Sequence, residues 1–116
     1  VQNVVLDGLL YPLVYETIID DVLSAKGGTS VAMLTQFMTD WFAETKKWAD
    51  ATVKTAAAES DENKAILTKW ITEWRDRAAA ALVPVARIAL GDRTDELVGE
   101  VVQQFNARMA KAGVAL

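Results

Sequence analysis

Residues 41–74, WFAETKKWADATVKTAAAESDENKAILTKWITEW, decide the fold, because two helical patterns meet in them at a short polar turn. On each side of the turn, large apolar residues recur every three or four positions, the spacing that places side chains on one face of an α-helix. Ser60 is a favourable N-cap residue, and Asp61 and Glu62 follow it where the helix dipole favours acidic groups. The sequence therefore predicts a long antiparallel helical hairpin that turns at Ser60.

The two apolar faces of this hairpin contain all four tryptophans of the chain. The faces consist of Leu34, Phe37, Met38, Trp41, Phe42, Thr45 and Trp48 before the turn, and of Ile66, Leu67, Trp70, Ile71, Trp74, Ala78 and Ala81 after it. Residues at equal distances from the turn lie level in an antiparallel pair, so Trp48 is expected beside Trp70 and Trp74. We therefore expect one thick aromatic layer between the two helices, with Trp41 packed against small alanines further along.

A further helix is predicted before the hairpin, over residues 2–24. Its apolar residues cover more than half of its circumference, which predicts burial on several sides. Pro12 lies within the pattern and predicts a kink, because it cannot donate a backbone hydrogen bond.

The other helical patterns have recognisable start and stop signals. The predicted bounds are 30–58 and 61–82 for the hairpin and 95–112 for a last helix. Thr29 or Ser30 is expected to cap the first of these and Thr94 the last, while Pro84 is expected to end or kink the middle one. With no strand alternation in the chain, the sequence predicts an all-α bundle of about four helices.

Composition limits the classes of partner and compartment. The 116 residues carry a net charge of −4 with their basic residues scattered, which argues against nucleic acid and anionic membrane as partners. There is no cysteine and no apolar run long enough to span a bilayer, so a cytoplasmic location is expected. Because the apolar share of 52% is slightly high for a domain that stands alone and the chain begins inside an apolar pattern, we expect residues 1–116 to be a fragment of a longer protein.

The absence of histidine excludes several kinds of active site. A di-iron bundle needs two Glu-x-x-His motifs, and the catalytic triads and common zinc sites also need histidine. Glu16 and Asp20 form a like-charge pair one helical turn apart, which could act as a carboxylate-only catalyst or form a solvated face. The sequence thus predicts no catalytic, cofactor-binding or metal-binding residue in this chain.

Several long strings of this sequence resemble one known family. They are VVLDGLLYPLVY (4–15), GGTSVAMLT (27–35), DW (40–41) and WADATVKTAAAESDENK (48–64). They resemble the beta subunit of the hydroxylase component of soluble bacterial di-iron monooxygenases, the phenol hydroxylase and toluene monooxygenase group. The resemblance extends from residue 4 to about residue 90, and it implies a ferritin-like helical subunit that lacks iron ligands.

The resemblance also implies a set of partners. An alpha subunit would hold a carboxylate-bridged di-iron centre and hydroxylate phenol, toluene or related hydrocarbons with O2. Electrons would come from NADH through a reductase, and a small regulatory protein would dock on the hydroxylase. Since such subunits are much longer than 116 residues, this chain is expected to be the C-terminal portion of one.

The excess of apolar and aromatic surface predicts where the partner binds. Residues 4–18 and part of the helix that contains Trp41 should be covered in the assembly, since apolar surface beyond a few hundred Å² usually marks an interface. The residues expected near this interface, as structural anchors, are Asp7, Tyr11, Tyr15, Trp41 and Phe42. Two other hypotheses remain open at this point, a free-standing helical interaction module and the carboxylate-only catalyst.

Overall fold

A computed structural model describes residues 1–116, and every element in it is helical. In chain order these are a π-helix (Gln2–Leu6), α1 (Asp7–Tyr11), a second π-helix (Pro12–Leu23), α2 (Thr29–Glu59), α3 (Asp61–Leu90), a 3₁₀ turn (Gly91–Arg93) and α4 (Thr94–Lys111). The all-α prediction is confirmed. The expected number of about four helices is corrected to three long α-helices, α2, α3 and α4, preceded by a composite helical segment.

The N-terminal segment, residues 2–23, is helical throughout but is wound mainly as π-helix. The only α-helical turn ends at Tyr11, and the winding changes at Pro12, which has no backbone N–H for an α-helical hydrogen bond. Where the sequence predicted a kink at Pro12, the structure shows a change from α-helical to π-helical winding. Only the face with Val5, Leu9 and Leu13 is buried in this chain, so the expected burial on several sides does not occur within residues 1–116.

The hairpin forms as predicted at its turn. The backbone N–H of Asn63 donates to Ser60 Oγ at 3.1 Å, which is the hydrogen bond of an N-cap. The buried faces of the two helices are made of small or β-branched residues, chiefly Ala49, Val53 and Ala57 from α2 and Ile71, Ala78 and Ala86 from α3. Small side chains at this seam let the two backbones approach closely.

The expected aromatic layer between the two helices is wrong. Trp48, Trp70 and Trp74 are exposed, and the aromatic pairs of the chain, Tyr11 with Tyr15 and Tyr11 with Phe42, include no tryptophan. The physical reason is that small and β-branched residues, and not the tryptophans, occupy the buried faces of α2 and α3, which leaves the large rings on the flanks of the helices.

Several predicted helix ends differ from the observed ones. α3 continues through Pro84 to Leu90 and ends at Gly91, whose positive φ of 55° suits a glycine. α2 begins after Gly28 without a side-chain cap, and the Thr94 hydroxyl donates to the carbonyl oxygen of Gly91 at 2.6 Å. The predictions of caps at Thr29, Ser30 and Thr94, and of an end near residue 82, are therefore wrong.

The chain forms a slab of 49 × 27 × 18 Å, with its core where the N-terminal segment meets α3 and α4. Its radius of gyration is 15.0 Å, compared with about 13 Å for a compact domain of this length. It exposes 6994 Å², compared with about 6,200 Å² for a typical monomer of this mass. A slab of this shape leaves a large share of its apolar residues at the surface. None of the helices has the length and apolarity to cross a membrane.

Candidate protein-interaction site

A row of large apolar side chains projects from α2 into solvent. We call Met33, Leu34, Phe37, Trp41 and Trp48 the aromatic face of α2. Phe37 is 64% exposed and Trp41 is 68% exposed, although both lie in a regular helix. Ile66, Trp70 and Trp74 of α3 are also exposed. Contiguous apolar surface of this kind is typical of a protein–protein interface, whereas single exposed apolar residues are ordinary.

The N-terminal segment joins α2 through a small aromatic cluster. The ring of Tyr11 stacks on that of Phe42, with centroids 5.0 Å apart and planes 15° apart. The ring of Tyr15 lies one helical turn further on, 5.1 Å from that of Tyr11 and tilted by 38°. Phe42 is only 4% exposed, so it supports Tyr11 from inside the chain, while the two tyrosines are half-buried. Trp41 is next to Phe42 in sequence but points away from this cluster into solvent.

Polar groups beside this cluster are partly removed from water. Burial raises the pKa of the Asp7 carboxyl above its ordinary value of 3.8. Burial also raises the pKa of Tyr11, and the nearby Asp7 and Tyr15 raise it further, because a negative charge at Asp7 or Tyr15 disfavours a second one on the phenol. Of the five residues predicted at the interface, Asp7, Tyr11, Tyr15 and Phe42 thus lie together, and Trp41 lies apart on the aromatic face.

A buried arginine, which sequence reasoning missed, connects three elements below this cluster. Arg108 of α4 donates from Nε to Asp50 Oδ1 of α2 at 2.6 Å, and its guanidinium carbon lies 5.8 Å from the centre of the Phe42 ring. Its terminal nitrogens, Nη1 and Nη2, are buried and have no hydrogen-bond partner in the chain. Gly8 of α1 makes room for it, since a Cβ there would lie 2.7 Å from Nη1. The only sequence signal was a charged residue between Phe105 and Met109 on the apolar side of α4.

The residues present do not fit a di-iron centre. No group of three or more His, Cys, Asp or Glu side chains is close enough together to hold a metal ion. Glu16 is exposed and Asp20 is half-buried, and neither joins a cluster of further carboxylates.

Comparisons with known proteins identify the class to which this helical, aromatic-faced chain belongs. A family model described as methane/phenol/alkene hydroxylase matches residues 1–60. The chain belongs to the methane/phenol/alkene hydroxylase family.

Particular relatives are the oxygenase components of two phenol 2-monooxygenases. The chain is 44% identical over 113 residues to component DmpL of Pseudomonas sp. (strain CF600) and 41% identical over 113 residues to component MhpL of Acinetobacter pittii (strain PHEA-2). Each match covers 97% of this chain and 33% of the relative. The chain thus spans about one third of the length of these relatives.

The fold matches a solved structure of the same class. It superimposes on a chain of the xenon-pressurised phenol hydroxylase from Pseudomonas sp. OX1 with a TM-score of 0.88 and 36% sequence identity. The match covers 99% of this chain and 34% of that chain. The family resemblance seen in the sequence is confirmed by these three comparisons.

Proposed function

We propose that this chain is part of the non-catalytic beta subunit of the hydroxylase component of a cytoplasmic di-iron monooxygenase. In this proposal residues 1–116 form one helical segment, the C-terminal part of a larger ferritin-like subunit. The partner alpha subunit holds the di-iron centre and hydroxylates phenol, toluene or a related hydrocarbon with O2. Electrons reach the alpha subunit from NADH through a reductase, and a small regulatory protein docks on the hydroxylase.

The observation that carries this proposal is the aromatic face of α2 on a chain of this family. Phe37 and Trp41 are more than half exposed, and burial of apolar surface is worth about 25 cal/mol per Å². A subunit with this surface gains stability from a partner that covers it, and a specific interface is expected to bury at least about 1,000 Å². The names of the relatives, oxygenase components of phenol 2-monooxygenases, favour phenol among the possible substrates.

The interface is proposed to include residues 4–18 as well as the aromatic face. Asp7, Tyr11 and Tyr15 are half-buried on the N-terminal segment and offer the partner an edge with both apolar and polar groups. Phe42 acts from below by holding the Tyr11 ring, and Trp41 is a direct contact residue. These five residues are structural anchors in the proposal, and none of them is a catalytic residue.

The side chains of this chain that could bind a metal support the proposal that the iron lies in another subunit. There is no histidine, and the acidic side chains do not gather into a group that could bind a metal. A ferritin-like di-iron site draws a Glu from each of two helices and a Glu-x-x-His from each of two others. We therefore propose that this chain contributes to the reaction by packing against the alpha subunit and supplies no metal ligand.

Co-purification of the full-length protein tests this proposal. We expect a tagged full-length subunit to elute in equal amounts with a larger subunit, and the iron to remain with that larger subunit when the two are separated under mild denaturation. Stoichiometric iron retained by this subunit alone would contradict the non-catalytic role. A full-length protein that elutes as a stable monomer with no partner would favour the free-standing interaction module instead.

A further inference from the structure

Most of the charged side chains that line the cleft between α2 and α4 are cationic. Lys46 and Lys54 of α2 face Arg108 and Lys111 of α4 across a cavity of about 450 Å³, in which Asp50 is the one carboxylate. The chain as a whole carries a net charge of −4, so this concentration of positive charge differs from the rest of the molecule. A concave surface with an excess of one sign of charge attracts ions of the opposite sign.

Arg108 is the buried member of this group. Its side chain is only 9% exposed, and its bond to Asp50 uses one of the five N–H donors of the guanidinium. The remaining nitrogens, Nη1 and Nη2, are buried without an acceptor from the chain. Buried donors, and those of charged groups above all, are nearly always paired in folded proteins. The two terminal nitrogens therefore indicate an acceptor that comes from outside residues 1–116.

A small second cavity adjoins the cleft and has Arg108 in its lining. It has a volume of about 90 Å³ and shares Lys46, Gln104 and Arg108 with the larger cleft. Gly8 also lines it, and Nη1 lies close to that residue. Since one water molecule occupies about 30 Å³ of liquid, the cavity has room for a few waters or for one carboxylate group.

We propose that Arg108 and Lys46 form a binding site for a single carboxylate in this small cavity. The Nη1 and Nη2 edge of a guanidinium presents two parallel donors, the geometry that matches the two oxygens of a carboxylate. Asp50 fixes the opposite edge through Nε, and Gly8 supplies the space that the guanidinium needs. Glu16 also lines this cavity and is exposed, and its negative charge opposes the binding of any further carboxylate. The proposal is independent of any subunit role, because it concerns the side chains of this chain.

The carboxylate has two possible sources, a small free anion or an acidic side chain from elsewhere in the assembled protein. The full-length protein, in the assembly in which it purifies, distinguishes them in ¹⁹F NMR with trifluoroacetate as the probe. At constant ionic strength in chloride, a free site should transfer saturation to trifluoroacetate, and acetate should compete. Arg108→Lys keeps the charge but loses the two-pronged edge, so it should weaken binding by at least about tenfold.

A second pair of variants tests the site in case Arg108→Lys does not fold correctly. Lys46→Met should weaken trifluoroacetate binding by about threefold, since it removes one exposed charge near the carboxylate. Lys47→Met is the matched control. Lys47 is the next residue on α2, pairs with Glu44 on the surface at 2.6 Å and does not line either cavity, so its removal should leave binding unchanged.

A crystal structure of the assembled protein, at high resolution, decides between the two sources. An acidic side chain from another segment on Nη1 and Nη2, with no trifluoroacetate binding, supports the site with a polypeptide as its source. Binding of trifluoroacetate that is lost in Arg108→Lys and weakened in Lys46→Met supports a free carboxylate. Water alone or Glu16 alone on these nitrogens, with no binding of the probe, overturns the proposal, as does equal weakening by Lys46→Met and Lys47→Met.

Discussion

Gly8 lies at a crowded contact between the N-terminal segment and α4. A Cβ at this position would be 2.7 Å from Arg108 Nη1 and 2.9 Å from Cε2 of Phe105. Both neighbours are packed in the interior, and they would have to shift together. The glycine thus allows the guanidinium to pass beneath α1, and the Arg108 cluster depends on it.

Replacement of Gly8 by alanine should therefore destabilise the protein. We expect Gly8→Ala to lower the free energy of unfolding by about 1–3 kcal/mol, as overpacking of a well-filled interior does. Gly99→Ala is the matched control, since Gly99 is also helical and has no atom within 4 Å of the added Cβ. That control should be stabilising by roughly 0.5–1 kcal/mol, because alanine is a better helix former. Denaturant unfolding of the full-length protein measures both, and equal effects would contradict the packing at Gly8.

The raised pKa of Asp7 predicts a specific dependence of stability on pH. Because the folded state favours the neutral carboxyl, the contribution of Asp7 to stability is fully present below its ordinary pKa of 3.8 and is lost as pH rises through the folded value. Asp7→Asn should therefore be more stable than the wild type at neutral pH, with a difference that shrinks toward pH 3.8. Unfolding at a series of pH values measures this difference, and Asp21→Asn, an exposed residue of the same segment, controls for the loss of one negative charge. A difference that does not change with pH would contradict the account of Asp7.

The sequence could identify neighbouring residues only where they are close in the chain. Asp7, Tyr11 and Tyr15 are spaced by four residues, so their proximity on one helical face follows from the chain itself. The pairing of Arg108 with Asp50 spans 58 positions, and Asp50 has a closer apparent partner in Lys54, one helical turn away. Long-range ion pairs of this kind depend on how α2 and α4 pack, which periodicity does not reveal.

The turn between α2 and α3 is held by hydrogen bonds between residues that are close in the chain. Ser60 accepts a hydrogen bond from the Asn63 backbone, and Asn63 Nδ2 also donates to the Glu59 carboxylate at 3.0 Å. These contacts close the hairpin within five residues. The N-cap could be predicted because its partner is three residues away.

Loss of this cap should weaken α3. Ser60→Ala removes the acceptor for the Asn63 N–H, so we expect the free energy of unfolding to fall by about 1 kcal/mol. Ser30→Ala is the comparison, because Ser30 lies in the first turn of α2 without a capping hydrogen bond and should change stability by less than about 0.5 kcal/mol. Thermal or denaturant unfolding gives both values. If Ser30→Ala lowered the free energy of unfolding more than Ser60→Ala does, the N-cap role of Ser60 would be contradicted.

It was harder to predict which face of a helix is buried than where the helix lies in the sequence. The spacing of Phe37, Trp41 and Trp48 locates an apolar face of α2, but the pattern is the same whether that face is covered by α3 or by another protein. The structure leaves it open and packs Ala49 and Val53 against the neighbouring helices instead. The π-helical winding before Leu23 was also beyond prediction, since π-helices have no strong sequence signal beyond the effect of Pro12.

The slab shape of residues 1–116 leaves large apolar side chains of α2 open to solvent. A chain of residues 1–116 expressed alone should bind a hydrophobic dye such as 8-anilinonaphthalene-1-sulfonate, because Phe37, Trp41 and Trp48 are open to solvent. The full-length protein in its assembly should bind much less dye per copy. Fluorescence titration measures the two. A cooperatively unfolding monomer of residues 1–116 that binds no dye would argue against an obligate partner.

Two variants of the full-length protein test whether the partner binds at the aromatic face of α2. The quantity to measure is their affinity for the larger subunit that we propose holds the iron. Trp41→Gln removes a large exposed ring, and Ala43→Gln places the same side chain two residues along α2, on a different side of the helix. Loss of a tryptophan at the centre of an interface should weaken binding by at least about tenfold. We predict that loss for Trp41→Gln and nearly wild-type affinity for Ala43→Gln. Equal affinities for the two variants, both close to the wild type, would contradict the account.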